Sequence, residues 1–233
     1  MRATVFISSA ALVALGQCLA LPAGPAKLPA TCSNEGLQWA AYSITQALDD
    51  NSSFDPTYIQ TQDIELGPGV ANQVGTYRTK KNSNSMIFGS TQKINTELMT
   101  LDIVGYFYAP KTGPYTFSSP YADDLLYIWV GTQAYAGWTA SNANMYISDS
   151  QPKSFSVDMI AGQYWPVRII LANRVGDGGY TLQITAPDGS NALRPGQLVQ
   201  YSCDGTTAPP FPDYASTDGP PGLPPVYTVP PRR

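Results

Sequence analysis

The 233-residue sequence contains no histidine, and this absence excludes several kinds of active site. Without histidine there can be no Ser-His-Asp or Cys-His nucleophile system, no His-ligated zinc and no histidine proton shuttle. Charged residues are also scarce, at 13% of the chain against the usual quarter or so. The formal net charge of -4 argues against a nucleic-acid partner, because binding to phosphates requires a basic surface.

Long apolar runs are scarce as well, and the one at the N-terminus is typical of a secretory signal peptide. Arg2 supplies a positive charge, residues 3–15 are uncharged and mostly apolar, and small residues before Ala20 suit signal peptidase. Ala23 is a second candidate cleavage site. Because the run is too short to span a bilayer comfortably, we expect residues 1–20 to be a signal peptide rather than a membrane anchor.

Cysteine occurs three times, and the predicted signal peptide removes one of them, Cys18. The two that remain, Cys32 and Cys203, form an even pair in a secreted chain, which is typical of a disulfide. We therefore predict a Cys32–Cys203 bridge that joins the N- and C-terminal segments of one domain. The sequon Asn51-Ser52-Ser53 makes Asn51 a candidate glycosylation site.

Proline marks the expected end of the folded unit. Nine prolines fall between Thr206 and Arg233, so this tail is predicted to be extended or disordered. Residues 21–29 are predicted to be a similarly loose segment. The tail is not followed by an apolar segment, so we expect no lipid-anchor signal. We therefore expect one folded domain, residues 30–205.

Between the cysteines, the pattern of apolar residues is mostly that of β-strands. The clearest predicted strands are Met99–Tyr108, Tyr115–Ser118, Leu125–Val130, Val167–Ala172 and Tyr180–Thr185. Leu125–Val130 is apolar throughout and is expected to be buried on both faces. A short helix is allowed around 37–48. Many short strands separated by Gly/Pro turns predict an all-β sandwich or barrel.

Two adjacent acids, Asp123 and Asp124, stand immediately before the most apolar strand. On an extended trans backbone their side chains would point to opposite faces and could not share one ligand. A cis peptide bond would bring both to one side, at a cost of roughly 3–4 kcal/mol. Calcium, with about six to eight oxygen ligands, could compensate for that cost. The dipeptide alone nevertheless favours a solvated acidic turn.

The residues around this pair carry a family resemblance. Gly113–Phe117 forms a Gly-x-Tyr-x-Phe strand that leads to the Asp-Asp pair, as in protective-antigen-type domains. Cys32–Tyr42 resembles the motif that names the GLEYA fungal adhesins, with Gln38 and Trp39 replacing its Glu and Tyr. Further similar motifs are Trp129-x-Gly131-x-x-Ala134, Gly137-Trp138-Thr139, Asn173 followed by Gly178-Gly179, and Pro187-Asp188-Gly189. The resemblance covers about residues 27–203.

This resemblance implies an all-β, antiparallel, jelly-roll-like sandwich with a calcium-dependent lectin site. The implied calcium ligands are Asp123 and Asp124 across a cis peptide, the Asn173 side chain, and backbone oxygens of Val175 and Asp177. Asp177 could instead offer its carboxylate. Vicinal sugar hydroxyls would complete the calcium coordination. The implied carbohydrate-binding residues are Asp123, Asp124, Asn173 and Arg174.

The implied partner is a glycan of a cell wall or a host surface. Wall glucan or mannan, terminal galactose and chitin-type N-acetylglucosamine ends all remain open. An oxygen-only site suits calcium, and extracellular modules bind it at about 0.1–1 mM. The predicted loop Asn173–Gly179, the second loop of the implied site, lacks an aromatic residue. Trp138, Tyr135 and Trp165 are expected in the core rather than as a sugar platform.

Two other functions remain open. One is an extracellular structural or protein-interaction module in which calcium is structural only. The other is a glycoside hydrolase, which needs two carboxylates roughly 5–10 Å apart, but nothing marks a pair among Asp102, Asp158 and Asp188. Ser150-x-x-Lys153 has the spacing of a nucleophile motif, yet Pro152 predicts a loop there. We favour a secreted, non-enzymatic adhesin.

Overall fold

The computed structural model describes residues 33–45, 54–148 and 150–212. Several predicted features lie outside these residues, so they stay predictions. They are the signal peptide with its cleavage site, the loose segment 21–29, Cys32, the Asn51 sequon and the tail from residue 213 onward.

Antiparallel strands dominate the described part of the chain, as the sequence predicts. They are β1 (Leu37–Ser43), β2 (Leu66–Ala71), β3 (Thr76–Thr79), β4 (Asn84–Met86), β5 (Lys93–Asn95), β6 (Met99–Ala109), β7 (Gly113–Asp123), β8 (Leu125–Val130), β9 (Met145–Ile147), β10 (Lys153–Met159), β11 (Gln163–Asn173), β12 (Gly178–Thr185) and β13 (Leu198–Val199). Helical structure is limited to 3-10 turns at Pro56–Thr61 and Ala140–Asn142 and one helical turn, α1 (Thr132–Tyr135). No helix among these residues is both long and apolar enough to span a bilayer.

The strands form two main sheets and one small hairpin. The larger sheet has the order β2-β1-β6-β11-β8-β9, with β13 also paired to β6. The smaller sheet has the order β10-β7-β12-β3, and β4 pairs with β5. Since every pairing between these strands is antiparallel, the predicted all-β antiparallel architecture is confirmed.

The main core lies between the two sheets. Phe107 of β6 meets Tyr115 and Phe117 of β7 edge-on, with ring centroids 5.2 and 6.2 Å apart. All three side chains are fully buried. Burying each such ring removes apolar surface from water and stabilises the fold by roughly 1.5–3 kcal/mol.

The larger sheet is buried on its other face too. All eleven residues of β6 are buried, and Leu125–Val130 is buried throughout, as predicted. This outer layer packs Tyr42, Phe54, Tyr127 and Trp129 in one cluster. Continuous apolar runs in the sequence therefore correspond to strands covered on both sides.

An ion pair is enclosed in this outer layer. Arg168 of β11 donates to the carboxylate of Asp102 of β6, and both side chains are almost completely buried. Arg168 also donates to the Ala134 carbonyl (3.1 Å) and stacks over the Trp138 ring at 4.4 Å. Asp102 is therefore a structural residue rather than an accessible acid.

The helix allowed around 37–48 is wrong for its described part, because Leu37–Ser43 is strand β1. It lies between β2 and β6, and its pairing with β6 runs from Gln38 opposite Val104 to Ser43 opposite Met99. Trp39 and Ala41 face the main core, whereas Ala40 and Tyr42 face the outer layer. A segment that is apolar on both faces does not distinguish a buried strand from a helix by its periodicity.

The expected start of the proline-rich tail at Thr206 is too early. Ala208 and Phe211 are buried against tyrosines of the larger sheet. Tyr106 donates to the Pro209 carbonyl (2.7 Å) and Tyr135 donates to the Pro210 carbonyl (3.1 Å). Prolines cannot donate hydrogen bonds to a sheet, but their carbonyls still accept, and that allows this segment to dock on the sheet face.

Candidate functional site

Two loops meet at one end of the sandwich. Asp123 and Asp124 join β7 to β8, and residues 174–177 join β11 to β12. The strand pairings bring the loops together, because Asp123 lies opposite Gly179 and Leu125 lies opposite Ala172. The peptide bond between Asp123 and Asp124 is cis, as the resemblance implies.

Asp124 joins the two loops directly. Its Oδ2 accepts a hydrogen bond from the backbone N–H of Arg174 at 2.7 Å and a longer one from Val175 at 3.4 Å. The carboxylate therefore holds the start of the second loop in place. This contact brings three residues that the resemblance selected into one site.

Asn173 is fully buried at the end of β11. Its Nδ2 donates to the Thr96 carbonyl at 2.7 Å, which fixes the orientation of the amide. Its Oδ1 has no hydrogen-bond partner among the described residues. Buried amide oxygens are nearly always satisfied, so this unpartnered oxygen matches what a metal ligand requires.

Gly178 allows the Asn173 side chain to take this position. A Cβ at residue 178 would lie 2.5 Å from the Asn173 Cγ and 2.8 Å from its Oδ1. No real side chain tolerates such distances, so only glycine fits beside the amide. The glycine pair that supports the resemblance thus has a steric reason at this position.

Asp123 is held from the other side by Tyr121. The Tyr121 hydroxyl donates to Asp123 Oδ2 at 3.1 Å. Burial raises the pKa of the Asp123 carboxyl, the Tyr121 hydrogen bond lowers it, and the negative charges of Asp124 and Asp177 raise it further. A bound cation would relieve this repulsion between carboxylates.

The Asp177 carboxylate is engaged outside the loop. Its Oδ2 pairs with the Lys80 ammonium at 2.7 Å and its Oδ1 accepts from the Lys81 backbone N–H at 2.9 Å. The Lys80 hydrogen bond lowers the pKa of Asp177. The sequence leaves open either the carboxylate or the backbone oxygen of Asp177 as a calcium ligand. Both carboxylate oxygens are used in the contacts with Lys80 and Lys81, whereas the backbone oxygen is not.

Glu97 also holds the second loop, residues 174–177, through a hydrogen bond to its backbone. Its Oε1 accepts from the Gly176 N–H and the Asn82 N–H, each at 3.1 Å. The loop is therefore held by Asp124, Glu97 and Lys80 together.

Among the described residues, no three His, Cys, Asp or Glu side chains are grouped closely enough to form a metal site by themselves. The candidate set instead relies on two carboxylates, one amide and backbone oxygens.

Sequence reasoning missed several residues of this site, namely Tyr121, Thr96, Glu97, Lys80 and Lys81. Tyr121 carried a usable signal, because it stands two positions before Asp123 on one strand and therefore shares its face. The others reach the site through pairings between residues distant in sequence, so no local pattern marks them. Arg174 and Val175 lie in the loop as predicted, and the Val175 side chain is exposed.

The candidate aromatic platform residues are in the core. Trp138, Tyr135 and Trp165 are each 5% exposed or less.

Ser150 and Pro152 lie outside regular structure, while Lys153 begins β10, so no helical turn holds the Ser-x-x-Lys spacing. Two of the candidate hydrolase acids are engaged in ion pairs: Asp102 is buried with Arg168, and Asp188 is paired with Lys111.

The predicted disulfide lies partly outside the described residues, because Cys32 is not among them. Residues close in sequence to the two cysteines do pair with each other. The Gln200 N–H donates to the Asn34 carbonyl at 2.9 Å, and the Gly36 N–H donates to the Leu198 carbonyl at 2.8 Å. The ends of the domain therefore run side by side, and the Cys32–Cys203 bridge stays a prediction.

Solved structures of other proteins share this fold. The epithelial adhesin 6 A domain from Candida glabrata, solved with Galβ1-3GlcNAc, has a TM-score of 0.61 at 19% identity and covers 83% of this chain and 98% of its own. The PA14 domain of the antifreeze protein MpAFP has a TM-score of 0.52 at 17% identity, covering 70% of this chain and 89% of its own. The fold is thus that of PA14-type and fungal adhesin domains.

Residues 99–186 match the family model of the GLEYA domain. The resemblance seen in the motifs is confirmed, although the match does not include Cys32–Tyr42. The putative cell agglutination protein pfl4 of Schizosaccharomyces pombe is 27% identical over 191 residues. The flocculation protein FLO1 of Saccharomyces cerevisiae is 31% identical over 125 residues.

Both relatives are much longer than the matching segment. The pfl4 match covers 70% of this chain and 31% of the relative, and the FLO1 match covers 46% and 8%. The whole activity of these proteins therefore does not transfer to this chain by similarity.

Proposed function

We propose that this chain is a secreted or wall-associated carbohydrate-binding adhesin domain that binds cell-surface glycans through calcium. The proposed metal ligands are the Asp123 and Asp124 carboxylates, the Asn173 Oδ1 and the backbone oxygens of Val175 and Asp177. The observation that carries the proposal is the buried Asn173 Oδ1, which has no hydrogen-bond partner within the described chain. The oxygen donors suit a hard cation.

Some residues of the proposed site position the loops, and others would bind calcium or the sugar. Asp124 fixes the second loop through its backbone N–H groups, and Tyr121 fixes the Asp123 carboxylate. When bound, calcium would supply coordination positions for two neighbouring sugar hydroxyls. Arg174, next to Asn173, is the proposed hydrogen-bond donor to the rest of the sugar. No step of this binding requires a general acid or base, so we propose binding rather than catalysis.

The similarity supports a glycan as the ligand. The relatives are named as agglutination and flocculation proteins, and the structural neighbour from Candida glabrata is bound to Galβ1-3GlcNAc. Glucan, mannan, galactose and N-acetylglucosamine termini remain candidates for this chain. The competing proposal is an interaction module in which calcium only stabilises the fold.

Calcium-dependent unfolding and a glycan array together test the proposal. Calcium should raise the melting temperature of the wild type and allow glycan binding. Asp124→Asn should lose both effects while remaining folded. The matched control is Asp188→Asn, which changes an exposed acid of the β12 end and should behave as wild type. A calcium-induced rise in melting temperature with no glycan binding would favour the structural module instead.

A further inference from the structure

Cationic side chains are concentrated around the candidate site. The described residues contain nine lysines and arginines, and four of them, Arg78, Lys80, Lys81 and Arg174, lie in or beside its loops. In a chain with a formal net charge of -4, this concentration is unexpected. We call these four residues the cationic rim.

Contacts connect the rim to the proposed calcium loops from two directions. Arg78 lies over the Tyr121 ring with its Cζ 3.3 Å from the centroid, and Tyr121 in turn donates to Asp123. Lys80 and Lys81 hold the Asp177 carboxylate from the other direction. Because β3 ends at Thr79 opposite Gly178, the two lysines follow directly beside the second loop.

Most other cations of the described chain have structural partners. Arg168 is buried with Asp102, Lys111 pairs with Asp188, and Lys153 donates to the Tyr146 carbonyl at 2.9 Å. The Lys80 side chain, by contrast, is 83% exposed despite its ion pair. The Lys81 side chain is also exposed, and its contact with Asp177 uses the backbone N–H only.

The charges in the site determine which ligand it favours. Four carboxylates, Asp123, Asp124, Asp177 and Glu97, balance the four cations of the rim. With calcium bound as proposed above, the site carries about two net positive charges. Exposed cations beside a bound divalent ion attract an anionic group and repel a cationic one.

We infer that the preferred ligand is an anionic glycan, a sugar that carries a carboxylate, sulfate or phosphate near the hydroxyls bound by calcium. This inference rests on the proposed function and names its ligand class. Lys81 is the specificity residue, because its ammonium faces solvent beside the second loop. Arg78 and Lys80 add to the same field.

The test compares neutral sugars with their charged forms on the full chain. In the presence of calcium, the affinity is measured for the neutral sugars galactose, mannose and N-acetylglucosamine. It is then measured for their charged forms, which are galacturonic acid and the 6-sulfates and 6-phosphates of the three sugars. At low salt we expect a charged form to bind about 3- to 10-fold more tightly than its parent. This preference should shrink at high salt, because screening weakens exposed charges. The three anionic groups also separate uronic acids from sulfated and phosphorylated sugars.

Lys81→Gln removes the charge and keeps the backbone contact with Asp177. We expect it to reduce the preference for the charged sugar about 3-fold, measured as the ratio of its affinity to that of the neutral parent sugar. The matched control is Lys111→Gln, which lies about 30 Å away beyond the other end of β6 and is screened from the site. It should leave the preference intact.

The outcomes separate this inference from the proposed function. Equal binding of neutral and anionic sugars with calcium overturns the inference and leaves the proposed function standing. An anionic preference that Lys81→Gln and salt do not reduce also overturns it. Calcium-dependent stabilisation without binding of any sugar contradicts both.

Discussion

Gly178 lies against the side chain of Asn173, so closely that a Cβ at residue 178 would be 2.5 Å from the Asn173 Cγ. The glycine does not have a positive φ, so its requirement at this position is steric. The close packing fixes the Asn173 amide, whose buried oxygen has no hydrogen-bond partner among the described residues. Any change at residue 178 should therefore reach the candidate metal site through Asn173.

Gly178→Ala should displace the Asn173 side chain and weaken calcium binding at least tenfold. It should also lower the free energy of unfolding by about 1–3 kcal/mol through overpacking. Calorimetric titration with calcium and urea unfolding measure the two effects. Gly189→Ala is the control, because nothing lies within 4 Å of a Cβ there and its positive φ adds strain remote from the site. Equal calcium affinity in the two variants would contradict the proposed role of Asn173.

The buried Asp102–Arg168 pair should be costly to break. Arg168→Met leaves the Asp102 carboxylate unpaired within the outer layer and should lower the free energy of unfolding by about 3–5 kcal/mol. The control, Lys111→Met, breaks the exposed pair with Asp188 and should lower the free energy of unfolding far less, because solvent screens exposed charges. Urea unfolding of both variants makes the comparison. Similar small losses in the two variants would show that burial does not govern these pairs.

Phe211 should anchor the segment that follows Cys203. Its ring meets those of Tyr106 and Tyr135 edge-on at 5.2 and 4.8 Å. Phe211→Ala should lower the free energy of unfolding by about 3 kcal/mol and expose residues 206–212 to limited proteolysis. Tyr106→Phe removes only the hydroxyl that holds Pro209 and should cost about 0.5–1.5 kcal/mol. Unchanged proteolysis of Phe211→Ala would show that this segment does not depend on its aromatic contact.

Tyr77 should make the fold sensitive to alkaline pH. Burial raises the pKa of its hydroxyl to about 12, above the value of about 10 in an unfolded chain. The unfolded state therefore loses this proton first, so the contribution of Tyr77 is complete below pH 10 and is lost as pH rises towards 12. Tyr77→Phe should weaken the fall in stability across this range, as measured by unfolding at each pH.

The same hydroxyl has no hydrogen-bond partner in the described structure, so Tyr77→Phe should be neutral or stabilising at pH 7. Tyr115→Phe is the matched control, because the Tyr115 hydroxyl donates to the Lys111 carbonyl at 3.1 Å. The control should lose about 0.5–1.5 kcal/mol. A larger loss in Tyr77→Phe than in the control would indicate that the Tyr77 hydroxyl is satisfied in solution.

The fold was predictable from the sequence where one strand carries a regular pattern. Met99–Tyr108 and Leu125–Val130 correspond to β6 and β8 because their alternating or continuous apolar residues match one or two buried faces. Leu37–Ser43 is not predictable as a strand, because its two apolar faces are consistent with either a helix or a strand. The docking of residues 206–212 is not predictable either, because proline content does not reveal that two tyrosine hydroxyls donate to the carbonyls of Pro209 and Pro210.

The candidate site was predictable only as far as its motifs reach. Asp123, Asp124 and Asn173 were selected by the family resemblance, and the strand pairings bring them together. Thr96 and Lys80 could not be predicted, because their partners in the site, Asn173 and Asp177, are about 80–100 residues away in sequence. Such long-range pairings leave no periodic signal in a single chain.

Reversible chelation on one glycan surface shows whether bound calcium is required for glycan binding. The full chain is bound to its best glycan with calcium, washed with excess chelator, and supplied with calcium again, while its unfolding temperature is followed in parallel. We expect binding to be lost in chelator, while the sandwich stays folded, and to return at about 0.1–1 mM calcium. Glycan binding that persists undiminished in chelator would contradict it.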